Sequence, residues 1–441
     1  MSQNTKPYWV IIALVVATPI VLGVIVDKQR ARKAEDARTA MRSILECPST
    51  RPEAWQIPGL ERIDSIAFQQ DRLTAIDDKG LLWWYYAFPT TDCIGKPERI
   101  YPGRLAGDED PAATRVGRIT SSLAWGVGLT TDGRLFRWGT VGVNLACEPG
   151  APPGTCTKKS TDFRTDIVDA SSSDEHLLAV NSTGDVWSDG LNDCGQLGRP
   201  DPLGGVLATG YGRVPDLTNV VAVATGARYS LALDKSGAVW GWGNLSNSGT
   251  LAGGIFHAGF GAILCRPNGE GPLGVDEAPH ATPEKISGLP AIKSISLLNG
   301  FALALSRDGH VWAWGSNECG AIGLEPPAGA TSVFQAKPHR IEGMPHIVAI
   351  SAGVRHAIFL DKNGGVWATG NNGARQLGLI APPHAGISLC QSSRDSAGTE
   401  SYSSIPLKVP GLPPAIAIAA GRDRSAAVDR DGHVWIWGRV P

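Results

Sequence analysis

The side chains of this chain that could do chemistry do not fall into a known catalytic pattern. The sequence has no His-Glu-x-x-His, Gly-x-x-x-x-Gly-Lys-Ser/Thr, Cys-x-x-Cys or Gly-x-Ser-x-Gly, which are typical of zinc, phosphate, dithiol and serine chemistry. His176 and His356 occupy matching places in two internal repeats, but Tyr229 and Ser425 stand there in two others. We interpret both histidines as turn residues that bond backbone. We expect a non-enzymatic protein without cofactor or metal.

The eight cysteines are the second chemical feature of the chain. Cys147 and Cys156 bound a Gly- and Pro-rich insertion, CEPGAPPGTC, which closes easily on itself and suits a disulfide in an oxidising compartment. A reduced, flexible loop with two thiols is the alternative. Cys194 and Cys319 lie at equivalent places in two repeats and are interpreted as small packed side chains. Two other pairings remain open: Cys47 with Cys93, and Cys265 with Cys390.

Two further groups of side chains are candidates for binding a protein partner. The first is an aromatic group made of Phe256, His257 and Phe260. These residues lie in the longest insertion and belong to no repeat, so they either anchor a partner or hold the loop against the fold. The second group consists of three arginines in equivalent short turns: Arg228, Arg355 and Arg422. They form either a basic rim that binds a partner or a ring of solvated charges.

The elements that must position these residues come from one repeated phrase, in which a glycine after a turn is followed by a branched and an aromatic residue. The phrase occurs seven times, and successive lead glycines are 53, 51, 53, 72, 55 and 68 residues apart. The lead glycines are Gly80, Gly133, Gly184, Gly237, Gly309, Gly364 and Gly432. A period in this range with strand-like content predicts a propeller or a repeat array.

Composition agrees with an all-β repeat protein. The 54 glycines and 31 prolines supply turns, while 3 methionines and 19% charged residues leave little material for surface helices. The net charge of −2 gives no general attraction for nucleic acid. We therefore expect no nucleic-acid partner.

Residues 220–243 show how one repeat builds one blade. Three short apolar runs, Val221–Ala224, Tyr229–Leu233 and Ala238–Trp242, are separated by turn residues. Such runs predict strands that are covered on both faces by neighbouring sheets. A fourth strand, usually opened by a proline, precedes each next repeat and is interpreted as the outer edge of the blade. Four strands per repeat and seven repeats predict a seven-bladed propeller.

The ends and the insertions of the repeat region make two further predictions. Trp55–Ile57 should pair with Val434–Trp437 and close the ring of a monomeric propeller, because closure removes exposed sheet edges. Insertions between third and fourth strands should gather on one face, beside the first-to-second-strand turns and opposite the Asp/Ser-Gly hairpins. Connections of this length are usually functional or disordered. The insertions span about Val141–Thr161, Asn244–Thr282, Glu325–Ala336 and Leu379–Ser404.

The repeat resembles that of the regulator of chromosome condensation family. The resemblance rests on Gly353–Ala357 before Asp361–Trp367 and on Gly190–Gly198, with Gln376–Gly378 matching the latter, and it covers residues 54–441. It implies a seven-bladed β-propeller that serves in binding. For the best-known members of the family it also implies guanine-nucleotide exchange on a small GTPase. No residue of this chain matches an exchange loop by position.

One segment stands outside the repeat composition. Trp9–Val26 contains 18 residues without a charge, enough to cross a bilayer core as a helix, and Pro19 is tolerated in such a helix. A cleavable signal is the alternative, although only Lys6 would form its positive region and small residues are missing past the apolar core. The predicted organisation is a short tail (1–8), a transmembrane anchor helix (9–26), a helical spacer (27–53) and the propeller (54–441).

Two arguments about membrane orientation disagree. One basic residue precedes the predicted span and six follow it shortly, which would leave the propeller in the cytoplasm, whereas the even number of cysteines favours an exported propeller. We favour export. The leading hypothesis is a membrane-anchored, non-enzymatic scaffold that binds a protein partner through the insertion-bearing face of the propeller. The alternatives are guanine-nucleotide exchange or regulation of a small GTPase, and inhibition of an exported enzyme.

Overall fold

The computed structural model describes thirteen stretches of the chain. They are residues 54–69, 72–86, 98–100, 114–121, 125–139, 166–192, 194–199, 207–244, 280–298, 300–326, 333–379, 386–391 and 399–439. Within these stretches no helix is long and apolar enough to cross a membrane. Several predicted features lie outside them: the span Trp9–Val26, the spacer, the Cys147–Cys156 loop, and the aromatic group Phe256, His257 and Phe260.

The described residues form 28 strands in seven antiparallel sheets. The first strand, β1, is Trp55–Gln56. Blade 1 has β2 (Ile63–Gln69), β3 (Arg72–Asp77), β4 (Leu82–Tyr86) and β5 (Glu98–Ile100). Blade 2 has β6 (Val116–Ser121), β7 (Trp125–Thr130) and β8 (Leu135–Gly139). Blade 3 has β9 (Ile167–Ser172), β10 (His176–Asn181), β11 (Val186–Leu191) and β12 (Leu207–Arg213).

The remaining blades follow the same order along the chain. Blade 4 has β13 (Val220–Thr225), β14 (Tyr229–Asp234), β15 (Val239–Gly243) and β16 (His280–Lys285). Blade 5 has β17 (Ile292–Leu298), β18 (Phe301–Ser306), β19 (Val311–Ser316) and β20 (Phe334–Arg340), with a 3-10 turn at Glu318–Gly320. Blade 6 has β21 (Ile347–Ala352), β22 (His356–Asp361), β23 (Val366–Asn371), β24 (Ser388–Gln391) and β25 (Thr399–Lys408). Blade 7 has β26 (Ala415–Ala420), β27 (Arg424–Asp429) and β28 (Val434–Gly438).

The predicted seven-bladed ring is confirmed. First strands of neighbouring blades contact one another around the ring, and β2 of blade 1 contacts β26 of blade 7. β1 pairs with β28, with Trp55 opposite Ile436 and Gln56 opposite Trp435, and so supplies the fourth strand of blade 7. The Ile57 N–H adds a hydrogen bond of 2.8 Å to the Val434 carbonyl. The chain therefore closes its ring through the predicted N-terminal strand.

The repeated phrase folds as a hairpin between the second and third strands of a blade. In blade 4 one carboxylate oxygen of Asp234 accepts the backbone N–H groups of Ser236 and Ala238, and the other accepts the Trp240 indole N–H at 3.1 Å. Gly237 adopts φ +94°, where a Cβ would lie 2.9 Å from the Ile292 nitrogen, so glycine is required there. The same Asp–Trp bond joins Asp77 to Trp83, Asp361 to Trp367 and Asp429 to Trp435.

A second recurring contact joins neighbouring blades. In blade 3 the Gln196 carbonyl accepts hydrogen bonds from the indole N–H of Trp242 (2.9 Å) and the hydroxyl of Ser230 (2.8 Å) in blade 4. The Gln376 carbonyl of blade 6 accepts the same pair from blade 7, Trp437 (2.9 Å) and Ser425 (2.8 Å). The Gln-Leu-Gly sequences at 196–198 and 376–378 thus each hold one blade against the buried tryptophan of the next. These tryptophans belong to the core, as expected from their spacing.

The two candidate histidines complete this contact. His176 Nε2 lies 2.8 Å from the Ser230 hydroxyl and His356 Nε2 lies 2.9 Å from that of Ser425. Each serine donates its one proton to a glutamine carbonyl, so each histidine Nε2 is the donor. Burial lowers the pKa of His176 to about 3 and that of His356 to about 4, and both rings are neutral at pH 7. Each ring reaches a serine of the next blade, a contact that the expected bond to backbone did not include.

Candidate interaction face

Backbone hydrogen bonds show which turns share a face of the propeller. The connection after each third strand begins beside the first-to-second-strand turn: the Asn371 N–H donates to the Arg355 carbonyl (2.9 Å) and the Asn244 N–H to the Arg228 carbonyl (2.7 Å). The hairpin glycines lie at the other ends of the strands, where the Gly237 carbonyl accepts the Ile292 N–H. In the described residues these connections therefore begin on one face, the one on which the sequence places the insertions. We call it the insertion-bearing face.

Arg355 lies at the centre of a buried ion cluster on this face. Only 3% of its side chain is exposed, and its guanidinium is 2.7 Å from a carboxylate oxygen of Glu318 and 2.6 Å from one of Glu400. Asn371 donates a hydrogen bond of 2.6 Å to the same carboxylate of Glu400 and accepts one from Gln376 at 2.8 Å. The cluster joins the 3-10 turn of blade 5 to three segments of blade 6: the turn before β22, the end of β23 and the start of β25.

The other two candidate arginines do not complete a basic rim. Arg228 is buried beside Glu175, with 3.4 Å between guanidinium nitrogen and carboxylate oxygen. Arg422 is half-buried and precedes Asp423, which takes the position of Arg228 and Arg355 in its turn. Two of the three guanidinium groups are thus withdrawn into ion pairs instead of forming a ring of solvated charges. Desolvation of a charge requires such a partner, and sequence spacing alone does not reveal it.

The alignment of this turn in blade 7 also differs from the expected one. The Gly421 N–H donates to the Arg424 carbonyl, as the Gly353 N–H does to that of His356. Arg424, and not Ser425, therefore stands at the place of His356. The two turns have the same length, and the register was obscured because the arginine that directly follows Gly421 invites alignment with Arg355, which stands one place further on in its turn.

A two-stranded hairpin extends blade 6 over the ion cluster. β24 pairs with β25, and Cys390 of β24 forms a disulfide with Cys319 in the 3-10 turn. The hydroxyl of Tyr402 in β25 donates a hydrogen bond of 2.6 Å to Glu325. Burial and this carboxylate raise the pKa of Tyr402 to about 12, so the hydroxyl stays protonated. Glu400, Cys390 and Tyr402 thus fasten the hairpin at three points.

The cysteine interpretation needs correction at three positions. Cys319 is a disulfide partner and not merely a small packed side chain, and Cys390 pairs with it and not with Cys265. The sulfur of Cys194 also belongs to a disulfide. The equivalent places of Cys194 and Cys319 in their repeats suggested packing. Cys390 stands 71 residues after Cys319 in the chain. No short-range signal in the sequence indicates that the two are paired.

Sequence reasoning also missed the acidic residues of this face. Glu318, Glu325 and Glu400 lie outside the repeated phrase, so periodicity could not select them. Leu389 on β24 was missed for the same reason, although 63% of it is exposed. The sequence offered one signal for three of these residues, their position in the chain. Glu325, Leu389 and Glu400 all lie in insertions that stand out by their length, Glu325–Ala336 and Leu379–Ser404.

The opposite face, which carries the hairpins between the second and third strands, holds two other features. Asp429, Asp431 and His433 offer ligand atoms within 4.8 Å of one another, but the Asp429 carboxylate already accepts two backbone N–H groups and the Trp435 indole. Asp234 and Asp361 make the same contacts in their hairpins, which identifies the group as turn structure. A shallow cavity of about 440 Å³ lies beside blade 1, lined in part by Arg62, Asp78 and Trp83.

Comparison with known proteins agrees with this architecture. Models of the regulator of chromosome condensation (RCC1) repeat match residues 308–360 and, in a second version, residues 220–249, 292–321 and 347–376. The probable E3 ubiquitin-protein ligase HERC6 of Homo sapiens is 31% identical over 280 residues, 62% of this chain and 23% of that protein. The mitochondrial RCC1 domain-containing protein RUG3 of Arabidopsis thaliana is 27% identical over 368 residues, 80% of this chain and 73% of that protein.

A solved structure shows the same fold. The crystal structure of Prp20p from Saccharomyces cerevisiae, a protein characterised by its binding to Gsp1p and histones, matches with a TM-score of 0.58 at 17% identity and covers 86% of this chain and 82% of its own. Fold and repeats together define a seven-bladed β-propeller of four-stranded blades. The repeats that the RCC1 models match lie in blades 4 to 6. The chain spans 23% or less of the HERC ligases that it matches.

Proposed function

We propose that this chain is a non-enzymatic scaffold that binds a protein partner through the insertion-bearing face of its propeller. One observation carries the proposal: the hairpin of β24 and β25 stands on that face and is fastened by a disulfide, an ion pair and a tyrosine hydrogen bond. Ordering a loop before it binds removes an entropy cost from association. RCC1-like propellers commonly serve in protein interaction or GTPase regulation, and Prp20p is such a binding protein.

We further propose that an N-terminal helix, Trp9–Val26, holds the propeller at a membrane and outside the cytoplasm. The Cys319–Cys390 disulfide and the bonded sulfur of Cys194 support an oxidising compartment, since structural disulfides are rare in the cytosol. A reporter fused after residue 441, combined with thiol labelling of intact cells, tests this. Cytoplasmic reporter activity together with reactive thiols would contradict export and favour the GTPase-regulatory alternative.

Site-specific photo-crosslinking tests the binding face in cells that produce the full chain. A photoreactive residue is placed at Thr399 or Arg375 on the insertion-bearing face. The matched controls are Lys235 and Lys362, exposed on the opposite hairpins. We expect a partner adduct of one defined mass from the first pair and none from the second. Adducts from Lys235 and Lys362 alone, or equal adducts from both faces, would contradict the proposal.

The aromatic group belongs to the same proposal as an anchor for the partner. Replacing Phe256, His257 and Phe260 together by alanine should remove the adducts formed at Thr399, while the propeller keeps its thermal unfolding temperature. Adducts of unchanged yield would show that these residues hold their own loop and bind nothing else.

A further inference from the structure

The outermost strand of blade 6 is a feature that the repeat does not require. Blades 1, 3, 4, 5 and 7 end at a fourth strand among the described residues, whereas blade 6 adds β24 outside β25. β24 pairs with β25 alone among the described strands, with Leu389 opposite Ser401 and Cys390 opposite Glu400. Blade 6 therefore presents a strand edge on the insertion-bearing face.

The direction of the backbone groups on this edge follows from one hydrogen bond. The Ser401 carbonyl accepts the N–H of Asn372 at 2.6 Å, so it points toward the β23 side of β25 and away from β24. Directly opposed residues in an antiparallel ladder alternate between hydrogen-bonded and non-hydrogen-bonded pairs. Leu389 opposite Ser401 is a non-hydrogen-bonded pair, and its N–H and carbonyl point to the open edge. The same alternation points those of Gln391 outward.

The two faces of the hairpin differ in the way that a docking strand requires. Cys390, Glu400 and Tyr402 lie on the inner face, where the disulfide, Arg355 and Glu325 hold them. Leu389 lies on the outer face with 63% of its surface exposed. Exposed strand edges are usually blunted by charge, proline or a covering element. This one has an apolar side chain and fixed, outward-facing backbone groups.

Charge around the edge specifies the partner further. Two carboxylates, Glu318 and Glu400, pair with the single guanidinium of Arg355. A third, Glu325, bonds the hydroxyl of Tyr402 and has no ion-pair partner among the residues that the structure describes. Glu325 is exposed and bonds Tyr402, which stands opposite Ser388 in the ladder. A cationic side chain that approaches the Ser388 end of the edge would meet this carboxylate, which favours a basic partner segment.

We propose that β24 is a docking strand for an extended, basic segment of the protein partner, which adds a sixth strand to blade 6. Backbone hydrogen bonds to Leu389 and Gln391 would hold the segment, with an aliphatic side chain beside Leu389 and a lysine or arginine near Glu325. Strand addition of this kind takes affinity from main-chain bonds and specificity from alternate side chains. This inference rests on the proposed function and names the mode of binding on the same face.

Two matched variants test the docking strand. Leu389→Pro removes an N–H that points outward, so it leaves the ladder to β25 intact, and proline is tolerated on such an edge. Leu389→Ala keeps the N–H and removes only the apolar side chain. The probe is a fluorescent synthetic peptide of alternating valine and lysine, with a valine–glutamate peptide as the charge control. Binding to the purified full chain is measured by fluorescence anisotropy.

We expect the valine–lysine peptide to bind the unaltered chain more tightly than the valine–glutamate peptide. Leu389→Pro should weaken that binding at least about tenfold, and Leu389→Ala should weaken it less. Gln391→Pro, which removes the next outward N–H, should repeat the effect of Leu389→Pro. Peptide mapping of the Cys319–Cys390 disulfide shows that each variant keeps the hairpin. Binding to both proline variants within about twofold of the unaltered chain, or equal binding of both peptides, would overturn the inference.

Cross-linking separates this inference from the proposed function. If the adducts at Thr399 and Arg375 persist in the Leu389→Pro chain, the face binds its partner without the edge of β24, and only the docking strand is wrong. If those adducts never form in the unaltered chain, the proposed function itself fails.

Discussion

Replacing Arg355 by methionine tests whether the ion cluster holds the insertion-bearing face together. The substitution keeps most of the side-chain volume and leaves the carboxylates of Glu318 and Glu400 without their common cation. Breaking a buried ion pair costs about 3–5 kcal/mol. Because 13% of Glu318 and 21% of Glu400 remain exposed, water screens part of the repulsion, and we expect about 3 kcal/mol, the lower end of that range.

The assay is thermal unfolding of the purified chain at pH 7. Unfolding entropy is about 2.1 cal/mol/K per residue, which over the roughly 390 residues of the propeller (54–441) gives about 0.8 kcal/mol/K. A loss of about 3 kcal/mol therefore lowers the melting temperature by about 4 °C. Arg375→Met, in the next connection of the same blade, is the matched control and should change the free energy of unfolding by less than about 0.5 kcal/mol.

A triple variant decides whether the cause is charge. Adding Glu318→Gln and Glu400→Gln to Arg355→Met removes the uncompensated carboxylates and should recover more than half of the loss, because neutral amides need no cation. The reasoning is refuted if Arg355→Met and Arg375→Met have the same melting temperature. It is also refuted if the two glutamines recover nothing, since lost packing would then explain the whole effect.

The inter-blade contacts give two further predictions. His176 and His356 have folded pKa values of about 3 and about 4, below the unfolded value near 6.5; their contribution is thus complete above about pH 6.5 and is lost as pH falls toward 4. The free energy of unfolding should decline over that pH window, and the decline should be shallower in a His176→Asn/His356→Asn chain. Urea unfolding at several pH values measures both. The same pH dependence in the two chains would contradict the pKa values given to these histidines. Trp437→Phe removes one of two hydrogen bonds to the Gln376 carbonyl and should lower the free energy of unfolding by about 1–2 kcal/mol. Urea unfolding measures this loss, with Trp55→Phe as the control. Equal losses in the two variants would argue against a special role of the contact between blades.

The predictable part of the molecule is the part that repeats. Each blade carries its own turn signal, as at Asp234 and Gly237. Hydrogen bonds between residues four and six positions apart are enough to form that turn. Ring closure by Trp55 was predictable for the same reason, because a missing fourth strand at one end must come from the other. The candidate site was predictable only as a face, from the phase of the insertions relative to the strands.

Particular contacts on that face were out of reach. Arg355 lies in a turn that the sequence marks, but its partners Glu318 and Glu400 stand 37 and 45 residues away along the chain, in segments without periodicity. The same separation hides the disulfide between Cys319 and Cys390 and the serine partners of the two histidines. Such contacts depend on how blades meet, and local patterns carry no information about that.

The sequence by itself determined the number of blades, their hairpins and the closure of the ring, because these follow from short-range periodicity and turn chemistry. Only the tertiary structure decided that Arg228 and Arg355 are buried in ion pairs and that Cys319 is cross-linked. It alone shows that Leu389 lies on a strand that pairs with β25 and with no other described strand. The physical reason is that burial and pairing depend on what lies across an interface between segments far apart in the chain. A charge has the same sequence signature whether it is solvated or enclosed.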